Sequence, residues 1–272
     1  MRILVTNDDG IDSPGIRALA EAMSRVGEVL VVAPDREQSG VGTAVSFHNG
    51  LAVAERDTAI EGARAYAVSG TPSDCVILGL GPLADGTVDL LVSGINTGAN
   101  VGNGVLGSGT TMATRVAHAG GARIPSIAIS LSLRGPQDHR EPLFHLAAAV
   151  SELLAHSMAE GAMPAGITLN VNVPSVPRGE IRRIAVTRLS PIGYWRLRTE
   201  QDGDGLYHNK LSALAADHPA IVEGTDVWAL NRGLISVTPL RLEVTDDSLL
   251  PTLGEHARRL ESALERIVAE VP

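Results

Sequence analysis

RILVTNDDGIDSPGIRALAEAMSRVGEVLVVAPD, residues 2–35, carries the pattern from which the architecture can be read. Arg2 to Thr6 is a continuous apolar run with β-branched members, the mark of a short buried strand. It stops at Asn7-Asp8-Asp9-Gly10, a cluster of turn formers. Pro14 then opens a helical pattern with Ile16, Leu19, Ala20 and Met23 on one face, and Gly27 ends it. Glu28 to Ala33 is a second buried strand, closing at Pro34-Asp35. Strand, helix and strand in this order form a βαβ unit, which implies a parallel sheet with a right-handed crossover.

The same alternation continues downstream. Leu51 to Glu55 and Ala63 to Val68 read as an antiparallel excursion, and Thr71 as an N-cap with Pro72 and Asp74 in the first turn behind it. Val88 to Ser93 is a further buried strand, followed by a Gly/Asn-rich loop from Gly94 to Gly109. A helix from about Thr110 to Ala119 and a strand at Ser126 to Leu131 complete the core, and the helix Leu143 to Met158 with the strand Thr168 to Val173 extends it. After Pro174 come short strands (Ile181 to Thr187, Tyr194 to Leu197, Leu234 to Thr238) around a polar stretch at Glu200 to Lys210. The expected division is an α/β core over 1–175, a β-rich arm over 176–250 and an amphipathic helix over 251–272. In that helix Leu253, Ala257, Leu260, Leu264 and Ile267 share a face.

The chain has 272 residues, enough to bury a large core without staples, and its apolar share is aliphatic, with 3% aromatic residues. Net charge is −9 with no basic stripe, which argues against a duplex nucleic acid partner. A small anionic substrate stays open, because a metal ion reverses the charge of one pocket. Cys75 is the single cysteine, so there is no internal disulfide and no cysteine metal site; its apolar helical setting reads as a small buried hydrophobe. The first apolar run is too short for a signal peptide and no stretch reaches membrane-spanning length, so a cytoplasmic protein without a membrane partner is expected.

Oxygen donors gather where three of these strands end. Asp8 and Asp9 follow the first, Ser39 lies past the second, and Asn96 follows the strand at Val88 to Ser93. Carboxyl ends of strands form the ligand crevice of open α/β sheets. Two carboxylates, a hydroxyl and an amide suit one Mg²⁺ or Mn²⁺ ion better than zinc. A local reading also stands, in which Asp8 and Asp9 make Asx turns and cap the following helix. The second element is Asn96 to Gly104 running into Gly107-Ser108-Gly109-Thr110-Thr111 at a helix start. Free N–H groups there, with hydroxyls from Ser108 and Thr110, favour a bound phosphate; ordinary helix capping is the alternative. No Lys follows the glycines, so this is no P-loop. His118, on the same helix, is a packing residue or one that reaches a leaving group.

Taken together, ILVTNDDGIDSPGI (3–16), VVAPDREQSG (31–40), GTPSDCV (70–76), DLLVSGINTGAN (89–100) and SGT (108–110) resemble the SurE family, the survival-protein E nucleotidases. Weaker echoes are TLNVNVP (168–174) and TDVWALNRGLISVTPL (225–240). The resemblance implies a Rossmann-like three-layer core with a C-terminal arm used in oligomerisation, hence a homodimer or homotetramer. It implies a divalent metal at Asp8, Asp9, Ser39 and Asn96, and 5′- or 3′-nucleotidase activity. Family members usually carry Tyr where this chain has Gly107, and an Ala-rich run ending in Glu-Gly where it reads Met112 to Ala117. Those departures leave open a phosphatase for another phosphorylated metabolite.

On this reading the chain is a phosphomonoesterase. Asp8 or Asp9 orients or deprotonates a water for in-line attack, or Asp8 itself is the nucleophile. Asn96, Asn100, Ser108, Gly109 and Thr110 hold the phosphate. The rival from another class is a catalytically idle nucleotide-binding regulator.

Overall fold

β1 (Arg2–Thr6), α1 (Pro14–Ser24) and β2 (Glu28–Pro34) form the parallel βαβ unit expected of the opening sequence, with Ile3 opposite Val29 and Val5 opposite Val31. The computed structural model describes residues 1–118, 123–133, 142–176, 180–181, 183–193, 195–213, 218–241 and 245–270, in two units, Met1–Leu240 and Arg241–Pro272.

In the first unit β3 (Val53–Arg56) pairs antiparallel with β4 (Arg64–Val68), the expected excursion, and β4 returns parallel to β2. β5 (Leu90–Thr97), β6 (Ser126–Ser132) and β7 (Thr168–Pro174) continue the parallel sheet on the other side of β1. With β8 (Ile184–Val186) and β11 (Ile235–Leu240), the nine-stranded sheet runs β3-β4-β2-β1-β5-β6-β7-β11-β8. Helices cover both faces, giving the Rossmann-like three-layer α/β fold. Ile3 and Val5 point to the face of α1 and α4 (Pro142–Ala159), whereas Leu4 points to the face of α2 (Pro72–Leu80) and α3 (Gly109–Val116). Both faces of β1 are therefore apolar and fully buried, which is why the strand reads as a continuous run. Each such side chain contributes about 1.5–3 kcal/mol by leaving water. The chain moves outward from β1 to β2 and β4, then returns to lay β5 against the opposite edge of β1. That reversal opens a crevice at the carboxyl ends of β1 and β5.

Two regions depart from the sequence reading. β5 continues four residues beyond Ser93, to Thr97, because the ladder resumes after a register shift against β6 between Ser93 and Asn96. The loop expected from Gly94 to Gly109 is correspondingly shorter and contains a 3₁₀ turn at Gly102–Gly107. Ala119, the expected end of α3, lies outside the described residues.

The segment 176–250 is also not one arm. β11 pairs antiparallel with β7, and β8 lies parallel to β11, because Ile235 and Val237 are buried in the main core. The hydroxyl of Thr187 bridges to Ser236 and Thr238 on that edge. β9 (Trp195–Gln201) and β10 (Tyr207–Ala213) form a separate antiparallel hairpin whose turn accounts for the polar Glu200–Lys210 stretch. Tyr194, placed at the start of that strand by the sequence, lies outside the described residues. α5 (Asp226–Asn231) packs on β11.

The second unit holds a 3₁₀ turn, Asp247–Leu249, and α6 (Leu250–Glu270). Leu253, Leu260 and Leu264 are exposed; the side chain of Ile267 lies outside the described residues. No helix among the described residues is long and apolar enough to cross a membrane.

Candidate active site

Local turn-making at the end of β1 falls to Asn7 rather than to the two aspartates. Its Nδ2 donates to the Gly10 carbonyl (3.0 Å) and to Ser13 Oγ (2.9 Å). Ser13 Oγ in turn caps α1 by accepting the Ile16 N–H (3.4 Å). Asp8 and Asp9 are thereby released from capping, and both reach across the crevice. Asp8 Oδ1 accepts the hydroxyl of Thr110, 102 positions away, and Asp9 Oδ2 accepts the Thr97 N–H at 3.2 Å. The main-chain oxygen of Asp8 accepts the Gln38 N–H (2.7 Å), which pins the loop after β2 to the same point.

The start of α3 is pressed against Asp8. A Cβ at Gly109 would lie 2.8 Å from Asp8 Cβ and 3.2 Å from Pro72 Cγ, so only glycine permits this approach. Thr110 directs both its N–H and its hydroxyl at the Asp8 carboxylate. The helix N-terminus expected to face a phosphate thus faces Asp8 in this structure. Ser108 caps α3, its Oγ accepting the Thr111 N–H at 3.0 Å.

Asp8 is 4% exposed and Asp9 partly buried. Burial raises the Asp8 carboxyl above the usual carboxylate range, and the bonds from Thr110 do not offset it. Asp9 is pushed up to about 6, by burial first and then by the charge of Asp8, against the pull of Thr97. Glu37 adds negative potential to both. Among the described residues neither Asp8 nor Asp9 is ion-paired with Lys, Arg or His. Two desolvated carboxylates with a third nearby, and no basic partner among the described residues, favour a hard cation.

The other expected donors are placed as follows. Asn96 lies at the crevice beside Thr97; its Nδ2 donates to the Gly98 carbonyl (2.8 Å), leaving Oδ1 as an acceptor for a cation. Ser39 is exposed, and its hydroxyl donates to Glu37 Oε1 at 2.7 Å. Asn100 is committed to the sheet: its N–H bonds Asn172 Oδ1 (2.9 Å), its Nδ2 bonds Ser130 Oγ (3.0 Å), and its carbonyl accepts from Asn170 and Asn172. These bonds make it a brace between the loop and the β6–β7 ladder, and they use its main-chain N–H and one of its two Nδ2 hydrogens. His118 bonds Thr168 at the amino end of β7 (3.1 Å), whereas the crevice lies at the carboxyl ends of the parallel strands, so His118 is placed away from a leaving group there. Cys75 is fully buried in the second core cluster, its thiol raised well above the ordinary range by burial. No three His, Cys, Asp or Glu side chains converge on one point among the described residues. A metal here would rest on two carboxylates, neutral oxygens and water.

The sequence assigns Glu37 no role and Asp74 only that of a first-turn residue behind the Thr71 cap. The Glu37 signal was its place two residues before Ser39. Asp74 completes the capping box with Thr71, and its carboxylate also accepts the N–H and hydroxyl of Ser46 (2.9 and 2.8 Å), holding the loop that carries Ser39.

Residues 3–195, which include every residue of this crevice, match the family described as Survival protein SurE. The chain belongs to the SurE family. It is 40% identical over 254 residues to the 5′-nucleotidase SurE of Geobacter metallireducens, covering 93% of this chain and 96% of that one. Identity to the 5′-nucleotidase SurE of Moorella thermoacetica is 42% over 257 residues, covering 94% and 96%. The crystal structure of a SurE protein from Aquifex aeolicus is similar with a TM-score of 0.77 at 36% identity, covering 94% of this chain and all of that one. Asp8, Asp9, Asn96 and Thr110 thus lie in the SurE-matched span, whereas α5 and β11 lie beyond it.

Proposed function

We propose that this chain is a divalent-metal-dependent phosphomonoesterase that releases phosphate from nucleoside monophosphates. The observation that carries the reading is the Asp8–Asp9 pair, desolvated at the β1–β5 crevice with no basic partner among the described residues. An anionic ester would be repelled by this pair alone, so the substrate requires a cation between them. Two of the similar SurE proteins are named 5′-nucleotidases, which favours 5′-monophosphates as substrates and makes 3′-monophosphates the first comparison.

Asp8, Asp9 and Asn96 Oδ1, with Ser39 once its hydroxyl leaves Glu37, would hold one Mg²⁺ or Mn²⁺ ion, which when bound would supply positive charge to the phosphate oxygens and make water a better nucleophile. Thr110 fixes the orientation of Asp8 through two donors. Asp9 uses Oδ2 on Thr97, which leaves Oδ1 to orient the attacking water and accept its proton. The Thr110 bonds also draw charge from Asp8, which favours water attack over an aspartyl-phosphate. Ser108 and Gly109 at the start of α3 offer the remaining contacts to the equatorial oxygens.

Phosphate release is measured from nucleoside 5′- and 3′-monophosphates, sugar phosphates and p-nitrophenyl phosphate, with Mg²⁺, Mn²⁺ or EDTA, beside Asp8→Asn. Metal-dependent release that the variant loses is the expected result. A sugar phosphate as best substrate would replace the nucleotide reading. Tight nucleotide binding with no release from any ester would replace catalysis by a binding role.

A further inference from the structure

We propose that Asp226 is a positioning residue for this reaction, fixing the 101–108 turn that delivers α3 to Asp8. The inference rests on the phosphomonoesterase reading for its kinetic consequence, though not for its geometry. Asp226 is fully buried at the start of α5. It is not needed as the cap of that helix, because Thr225 Oγ1 already accepts the Trp228 N–H. Its carboxylate instead gathers separate parts of the chain. Oδ2 accepts the Gly102 N–H at 2.8 Å, while Oδ1 accepts the N–H groups of Ser190 and Val227, each at 2.8 Å.

The main chains joined in this way are in close contact. Gly102 has a φ of 54°, and a Cβ there would fall 2.4 Å from the Ile192 carbonyl oxygen. Asn103 Nδ2 donates to the Pro191 carbonyl at 3.3 Å, and Val101 is buried with Val227 and Leu230. The turn beginning at Gly102 is therefore seated against 190–192 and α5 through a charged acceptor, the stronger class of hydrogen bond.

Both ends of the turn bear on the crevice. Six residues after Gly102, Ser108 caps α3, and Thr110 follows with its hydroxyl on Asp8. The Gly107 carbonyl accepts the Gly42 N–H at 3.2 Å, so the Ser39 loop leans on the same turn. Upstream, Asn100 is fixed to β6 and β7. Asp226 sets the stretch between these anchors. Since Ser190 shares its carboxylate and 190–192 lead towards β9, the base of the hairpin and the turn are held by one group.

Asp226→Asn keeps the shape but turns an NH₂ towards backbone donors. Unfolding, hydrogen exchange, Mn²⁺ affinity and steady-state kinetics are compared with wild type. The expected result is a folded protein whose 101–108 amides exchange faster while those of β1 and β5 do not. The KM for the best phosphate ester should rise about tenfold, kcat should fall less, and Mn²⁺ affinity should hold within about twofold. Asn103→Ala, which removes only one exposed contact, should move KM in the same direction by about two- to threefold, and serves if the first variant does not fold. Lowered stability with uniform exchange and unchanged KM would overturn the proposal, as would faster exchange in the turn without a kinetic effect. Failure of wild type to hydrolyse any ester would remove the reaction reading instead, and the exchange pattern would still decide whether Asp226 fixes the turn.

Discussion

Asp8 and Asp9 lie close together in a partly dry crevice, and the cost of that arrangement is visible in the acidity of Asp9. Its folded pKa of about 6 lies above the ordinary 3.8, so the native state binds this proton more tightly than the unfolded chain does. The associated stability is complete below pH 3.8 and is lost as pH rises through about 6. In EDTA, Asp9→Asn is therefore expected to be more stable than wild type at pH 8, by on the order of 2–3 kcal/mol. The difference should shrink towards zero near pH 3.5. Denaturant unfolding at both pH values measures it, and a gap independent of pH would refute the electrostatic account. Gly109→Ala acts at the same point by contact. Its methyl group would meet Asp8 Cβ at 2.8 Å, and with the Pro72 ring at 3.2 Å on one side and a pinned carboxylate on the other, Asp8 must move. A stability loss of about 1–3 kcal/mol is expected. Phosphate release should fall by far more than the fraction folded, because the carboxylate itself is displaced. Release per folded molecule, set against a circular dichroism melt, checks this.

At the scale of elements, Asp74 shows how a helix start organises a loop. The capping box Thr71–Asp74 is legible in the sequence, since Thr, Pro and Asp stand at cap, first and third positions. The second task of Asp74, holding Ser46, is not, because it spans 28 positions and involves an ordinary loop serine. Asp74→Ala is expected to cost on the order of 2 kcal/mol through the lost cap and unpaired donors. It should also free the 38–50 loop, which limited trypsin digestion at the exposed Arg36 would report; cleavage no faster than in wild type would show the loop is held elsewhere. The same contrast runs through the fold. β1, α1 and β2 are legible because buried parallel strands are unbroken apolar runs. The full length of β5 is hidden by Gly94 and the register shift beyond it. β9 and β10 are hidden because Arg198, Glu200 and His208 are exposed on strands with a partly polar sequence. In the crevice, residue types at strand ends reveal Asp8, Asp9 and Asn96. That Thr110 serves Asp8, and that Asn100 braces β6 and β7, are contacts between distant segments that no local pattern encodes.

For the whole molecule, the unanswered part of the sequence is its last unit. α6 carries Leu253, Leu260, Leu264 and Val268, each at least half exposed, at intervals that keep them along one side of the helix. Aliphatic side chains left in water forgo about 1.5–3 kcal/mol each, so a stripe of this length is expected to be covered in solution. A second copy is the partner always present, and symmetric pairing lets each helix use the same stripe. We expect a homodimer or homotetramer, with the hairpin β9–β10 as a second contact. Leu260→Glu with Leu264→Glu places charges in the middle of the stripe and should lower the mass measured by light scattering. All crevice residues belong to the unit Met1–Leu240, so phosphate release per chain should persist in the dissociated variant if assembly serves stability alone. Loss of release together with mass would instead mean that the crevice depends on the neighbouring copy. A monomeric wild type at micromolar concentration would remove self-association as the explanation for the stripe.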